Sequence, residues 1–301
     1  MAEVEQFTDI KLSVPWGHVA ARTYGSPTGK PVLAVHGRLD NAGTFTRLMK
    51  YLPKELFYYV CIDLPGHGWS SHFPSWTILD IMDYAHALYF VLEALQWKTF
   101  IYLGHSLGAQ IGIIFSVFHP NRIEKLISFD GILLNPTNNE FTTYFKNASA
   151  FSVKAYHEEK SLSSFTKEEI LHALKTLRIG VLNSEAADAL FERAVTEVNG
   201  KYIYNRDIRL KNHPFSFMQT KECQKFNSIV SVPIYLCIPS HGIIFPHNKL
   251  IMLVLGAMRA NYKKIIEVIQ VDGNHDVHNN NPEKVAPFVC KILNNDYSSK
   301  L

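Results

Sequence analysis

The chain has 301 residues, 47% of them hydrophobic, enough to bury a large core in one domain with an insertion or in two small domains. With 30 Lys and Arg against 27 Asp and Glu the net charge is +3, and no long same-sign run makes a case for nucleic acid as a partner. The cysteines Cys61, Cys223, Cys237 and Cys290 stand singly, which argues against a disulfide framework and for a reducing compartment.

In chain order, Met1-Ala2-Glu3-Val4-Glu5 has neither the basic start nor the apolar run of a secretory signal. Residues 10–14 and 18–24 are predicted as an antiparallel pair around the turn Pro15-Trp16-Gly17. Residues 31–36, 58–63, 100–104, 123–130, 233–239 and 265–272 are predicted as central strands, because continuous apolar runs suit strands buried on both faces. They alternate with helical patterns, so the fold class expected is α/β: a mainly parallel twisted sheet with helices on both faces. Apolar stretches such as 111–118 and 250–258 fall short of the about 20 residues a membrane span needs, so no membrane span is expected.

Between 135 and 221 the pattern changes, with more charge and no buried-strand run, which predicts an inserted helical cap (135–221) on a core made of 1–134 and 222–301. One cap helix is predicted to open at Thr166, with Glu169 completing a capping box. A second is predicted from Ser184 to Gly200, its residues Ala186, Leu190, Ala194 and Val198 forming a packing face.

The chemistry concentrates at three turns. Gly104-His105-Ser106-Leu107-Gly108 lies between a strand and an apolar helical run. A nucleophile at such a turn needs small neighbours, and its place at a helix N-terminus favours developing negative charge; the plainer reading is a glycine-rich turn with an incidental serine. His36-Gly37-Arg38 ends an earlier strand, and the N–H groups of Arg38 and Leu107 are the candidate oxyanion donors. The Arg38 side chain could meet an anionic substrate group or simply be solvated. Gly273-Asn274-His275 follows the last strand, before a helix predicted from Pro282, and His275 is the candidate general base. The reading of a surface loop histidine suits His278, His241 and His247 better. A metal site from His275, Asp276 and His278 is weak, with crowded spacing and no distant ligand set, and no cofactor or metal is expected.

The orienting acid is the open question. Its usual place follows the strand at 233–239, yet no carboxylate occurs from Ile229 to Ile266. Asp130, at the end of the strand after the elbow, is the preferred acid, the alternative being a turn-capping aspartate before Gly131. Asp272 is too near His275 in sequence, and Asp63 in Asp63-Leu64-Pro65-Gly66-His67-Gly68 is read as support for a loop.

Taken in order, these motifs resemble the α/β-hydrolase superfamily over nearly the whole chain. More narrowly, His36-Gly37-Arg38-Leu39-Asp40-Asn41-Ala42-Gly43, the elbow, Arg206-Asp207-Ile208-Arg209-Leu210 and Gly273-Asn274-His275-Asp276-Val277-His278 resemble the serine hydrolase-like proteins of the Kraken type. The resemblance implies an α/β-hydrolase fold and a Ser-His-acid hydrolase, often linked to peroxisomes or vesicles. It departs at Arg38, where a tryptophan is usual, and after His241-Gly242, where the acid is missing. The expectation is a serine esterase or thioesterase acting on a small acyl substrate through Ser106, His275 and Asp130, with Arg38 and Leu107 as oxyanion hole. The alternative is a weakly active or inactive ligand-binding protein of the same fold, for which the missing acid is the best support.

The last residues, Ser299-Lys300-Leu301, match the peroxisomal address, so a peroxisomal import receptor is an expected partner and the cytoplasm the location otherwise. Masking Leu301 with a carboxyl-terminal tag is expected to leave the protein cytosolic under fluorescence microscopy; unchanged import would refute the address.

Overall fold

Apolar runs with no polar face have to be covered on both sides, and these runs form the inner strands of one sheet. A computed structural model describes residues 6–132, 141–158, 163–211, 225–226, 228–244 and 265–294. Its strands are β1 Thr8–Val14, β2 Gly17–Tyr24, β3 Lys30–Val35, β4 Phe57–Ile62, β5 Phe100–His105, β6 Ile123–Phe129, β7 Val195–Val198, β8 Lys201–Tyr204, β9 Ile234–His241 and β10 Ile265–Asn274. Its helices are α1 Thr46–Met49, α2 Ile81–Leu95, α3 Leu107–Phe118, α4 Phe141–Glu158, α5 Lys167–Thr176, α6 Ser184–Ala194, α7 Val277–Asn280 and α8 Pro282–Leu293.

The main sheet runs β1-β2-β4-β3-β5-β6-β9-β10. β1 pairs with β2 and β2 with β4 antiparallel; every later pairing is parallel, so β3, β5, β6, β9 and β10 all point their carboxyl ends at the same edge. The period-2 alternation of side chains explains the two cores. Leu33 and Val35 of β3 pack with Leu88 of α2 and Phe115 of α3, whereas Val32 and Ala34 pack on the opposite face with Met49 of α1 and Val289 of α8. The predicted antiparallel pair and the central strands are all present within a residue or two of the expected ends.

The residues inserted between β6 and β9 build a small core of their own from Ile170, Leu174, Ala187, Leu190 and Val195. The Thr166 capping box is formed: Thr166 Oγ1 accepts from Glu169 N at 3.2 Å, and Glu169 Oε2 from Thr166 N at 2.8 Å. The helix predicted to reach Gly200 ends at Ala194. Val195 to Val198 instead pairs antiparallel with Lys201 to Tyr204 around Asn199-Gly200, whose φ values of 52° and 75° suit a tight hairpin turn. Val198 is therefore exposed rather than part of a packing face. Local turn chemistry overrode the helical periodicity.

Among the described residues no helix is long and apolar enough to cross a membrane. Cys61, Cys237 and Cys290 are free thiols. Cys223, His247 and Ser299-Lys300-Leu301 lie outside the described residues.

Charge ties the insertion to the sheet. Arg193 of α6, with no solvent exposure, places Nη2 at 2.7 Å from Asp63 Oδ2 and Nη1 at 2.8 Å from Asp9 Oδ1. Replacing Arg193 by Met leaves the buried Asp63 carboxylate uncompensated and is expected to cost about 3–5 kcal/mol in urea denaturation. A loss indistinguishable from that of a surface substitution would show that Asp63 does not depend on it.

Candidate active site

β5 ends at His105 and α3 begins at Leu107, so Ser106 has to turn the chain within one residue. It does so with φ 51° and ψ −116°, a backbone that a non-glycine residue holds only when its surroundings impose it. Above it the apolar helix α3 is anchored by buried Ile111, Ile113, Ile114 and Phe115. The Ser106 N–H donates to Phe129 O at 3.0 Å and ties the elbow to the end of β6. At Gly108 the first turn of α3 runs against β3: a Cβ there would lie 2.6 Å from His36 O and overlap the Val35 carbonyl. That close approach sets the His36-Gly37-Arg38 loop beside the elbow, with Gly37 so near that a Cβ on it would lie 3.1 Å from Ser106 Cβ. The N–H groups of Arg38 and Leu107 sit at this junction, and among the described residues neither donates to another main-chain group. The Arg38 side chain donates through Nη1 to Leu210 O at 2.8 Å.

Neutral histidines brace the loop. His36 Nε2 accepts from Leu64 N at 3.0 Å and His67 Nε2 from Leu39 N at 3.3 Å. Burial pushes the His36 pKa down to about 4 and that of His67 to about 3, so both keep the lone pair that accepts. Asp63 is the loop support expected of it, accepting from Ala42 N at 2.7 Å and Trp69 N at 2.8 Å.

Asp130 is fully buried and adopts φ 45° immediately after β6. Its Oδ2 lies 2.6 Å from His275 Nδ1 and accepts from Ile243 N at 2.7 Å, while Oδ1 accepts from Ile244 N at 3.0 Å. The segment after β9, where a carboxylate was missing, thus contributes main-chain donors to a carboxylate carried by β6. Since an ionised carboxylate can only accept, His275 carries its proton on Nδ1 and leaves the Nε2 lone pair available. Burial alone would lower the His275 pKa; the hydrogen bond to Asp130 and the charges of Asp276, Asp130 and Asp40 outweigh it and raise the pKa above the ordinary histidine value. The Ser106 hydroxyl makes no hydrogen bond among the described residues.

Behind His275 sits a group of charges that the motifs did not announce. His105, part of the elbow, donates through Nε2 to the main-chain O of His275 at 3.0 Å. Its Nδ1 lies 3.5 Å from Asp40 Oδ2. Arg178, between α5 and α6, reaches Asp40 Oδ1 at 2.8 Å and Asp276 Oδ1 at 2.7 Å. Asp40, His105 and Asp276 bring ligand-type atoms within 4.8 Å of one another, but the guanidinium already stands there as the compensating cation. The metal grouping of His275, Asp276 and His278 is not formed, because each faces a different partner. His278 is also not a surface histidine: it is fully buried, its Nε2 2.9 Å from Thr44 Oγ1 and its ring stacked on Phe129, and burial drives its pKa well below the usual range. His241 is exposed beside Ser240, and Asp272 is exposed and paired with Lys284.

The alpha/beta hydrolase fold family profile matches residues 30–202. The chain is 30% identical over 296 residues to the human protein called serine hydrolase-like protein 2, covering 95% of this chain and 94% of the relative. It is 31% identical to a Danio rerio serine hydrolase-like protein, covering 95% and 88% of the two. Among solved structures, a hypothetical protein of Pseudomonas aeruginosa PAO1 superposes with a TM-score of 0.80 at 28% identity, over 98% of this chain and all of that one. The chain belongs to the α/β-hydrolase fold family, in the group of serine hydrolase-like proteins. These relationships support a hydrolase.

Gly242 decides whether the 243–244 amides reach Asp130, because a Cβ on it would overlap the carboxylate. Gly242→Ala is expected to push the carboxylate away from His275 and abolish or shift the Nδ1 proton resonance in NMR, with the global fold retained by circular dichroism. An unchanged resonance would mean that the loop yields instead.

Proposed function

We propose that the chain is a serine hydrolase that cleaves a carboxylic ester or thioester through an acyl-enzyme on Ser106. Ser106 Oγ attacks the acyl carbon while its proton passes to His275 Nε2, a contact that such sites tighten when substrate binds. Asp130 keeps the imidazole in the required tautomer and stabilises the imidazolium. The N–H groups of Arg38 and Leu107 receive the oxyanion. His275 then protonates the departing alcohol or thiol, and activates a water that releases the acyl group and restores Ser106. The residues at 135–221 act as a cap that shapes the pocket. In this reading no cofactor takes part.

The observation that carries the reading is the 2.6 Å bond from His275 Nδ1 to a carboxylate held by two main-chain donors. The ligand-binding alternative draws its support from the lack of an acid after β9, and the Asp130 carboxylate beside His275 counts against it. A serine at the elbow also argues against chemistry that needs a carboxylate nucleophile there.

A fluorophosphonate probe is expected to label the parent chain and not Ser106→Ala, with turnover on a panel of esters and acyl thioesters. Asp130→Asn is expected to lower kcat by about four orders of magnitude with the fold intact. Because His275 must be neutral to act, and its pKa is raised, kcat/KM should fall on acidification with a limb above the ordinary histidine value of about 6.5. Absence of Ser106-dependent labelling removes the enzyme reading.

A further inference from the structure

Asp40, Arg178 and Asp276 form a group of charges that the proposed chemistry does not use. Asp40 is 3% exposed and Asp276 has no exposure, so two carboxylates sit close together away from water. Such a pair cannot stay ionised without a cation between its members, and Arg178 bridges them at 2.8 and 2.7 Å. The guanidinium holds Asp40 well below the usual carboxylate range against the opposing effect of burial, whereas burial keeps Asp276 above it.

The bridge touches both ends of the elbow and base. Asp276 is the residue after His275. Asp40 follows the oxyanion loop and lies 3.5 Å from His105 Nδ1, the residue before Ser106. The chain carrying Arg178 is bonded to the His275 loop independently: Asn274 Nδ2 donates to Val181 O at 2.7 Å, Asn280 Nδ2 to the same oxygen at 2.8 Å, and Asn183 N to Asn280 Oδ1 at 2.9 Å. Gly180 comes so near that a Cβ on it would lie 3.0 Å from the His275 Cβ.

We propose that Arg178 is a positioning residue: it joins the inserted segment to the sheet edge through Asp40 and Asp276, and thereby sets the place of His275 and the charges around it. The proposal rests on the acyl-transfer reading only for its kinetic consequence. The groups facing His275 are Asp130 from the end of β6, Asp40 after β3, His105 at the end of β5, and Asp276 and His278 on its own side, with Arg178 joined to them through Asp40 and Asp276. β9 contributes His241, exposed and turned to Ser240. Removing the guanidinium leaves the His275 imidazolium as a neighbouring cation that can compensate Asp40 and Asp276, which stabilises it; removing the Asp276 charge does the opposite.

The test compares Arg178→Met, Arg178→Lys and Asp276→Asn. His275 is titrated by imidazole NMR in the free protein, and kcat/KM is followed against pH on a short-chain p-nitrophenyl ester. Arg178→Met is expected to move the His275 titration and the acid limb alkaline by about one pH unit. It should lower kcat about tenfold or more, with KM changed less. Arg178→Lys should restore most of the rate and return the limb, and Asp276→Asn should move the limb to lower pH. A His275 titration that stays in place in Arg178→Met overturns the proposal, whatever happens to the rate. If Arg178→Met does not fold, an Asp276→Asn titration that fails to move acidic overturns it instead. A parent chain that turns over no ester sinks the acyl-transfer reading alone, since the titration is read without turnover.

Discussion

A carboxylate with no access to water must be supplied with donors, and Asp130 gets three of them from two parts of the chain, the 243–244 loop and His275. Leaving such a group unpaired costs several kcal/mol, so the donors and the acid fix one another's positions. The supply depends on β6, β9 and β10 being parallel neighbours. Phe129 pairs with Cys237, and Asp130 N donates to Cys237 O at 2.9 Å, so the carboxylate emerges beside the end of β9. From there it reaches His275 beyond β10 by passing along the 242–244 loop, which is narrow at Gly242 and gives amides in place of a side chain. An acid on β6 therefore serves the same histidine that an acid after β9 would, provided the intervening loop curls over it.

Strain collects at the same edge. Leu39, Ser106 and Asp130 are non-glycine residues with φ of 67°, 51° and 45°, one in each of the turns after β3, β5 and β6. Conformations of this kind cost of order 1–3 kcal/mol each and last only where neighbours over-determine them. The neighbours can be named: His67 and the Asp63 turn for Leu39, α3 and Phe129 O for Ser106, and the 243–244 amides for Asp130. The rigid apolar sheet beneath these turns holds them in place, which suits groups that must be set before a substrate arrives.

The sheet was legible in the sequence because each inner strand is a continuous apolar run, and the elbow because a strand, two glycines around a serine and an apolar helix adjoin. Asp130 was readable only from topology; no local pattern marks it. The donors at Ile243 and Ile244 left no trace, since main-chain amides do not depend on side-chain identity. The helix drawn to Gly200 failed because Asn199-Gly200 closes a hairpin, a stronger local signal than a fading 3.6-residue period. His278 reads as a surface histidine in the sequence because a polar stretch hides how deeply the turn into α7 is packed. Arg178 carries no motif, and its importance exists only once Asp40 and Asp276 are brought together.

The insertion between β6 and β9 meets the sheet edge through arginines that enter carboxylate sites belonging to the sheet. Arg193 takes Asp63, which supports the loop after β3, and Arg178 takes Asp40 and Asp276, which flank the histidine. Buried ion pairs add little net stability over apolar packing, but they tolerate no substitute geometry, because a displaced partner leaves a bare charge behind. An apolar contact of the same size would let the insertion slide at small cost. Charge pairing instead gives it one seat, measured against the loop after β3 and the loop that carries His275. The insertion, with its small separate core, is thus free to vary internally, while its position against the sheet edge is dictated by those carboxylates.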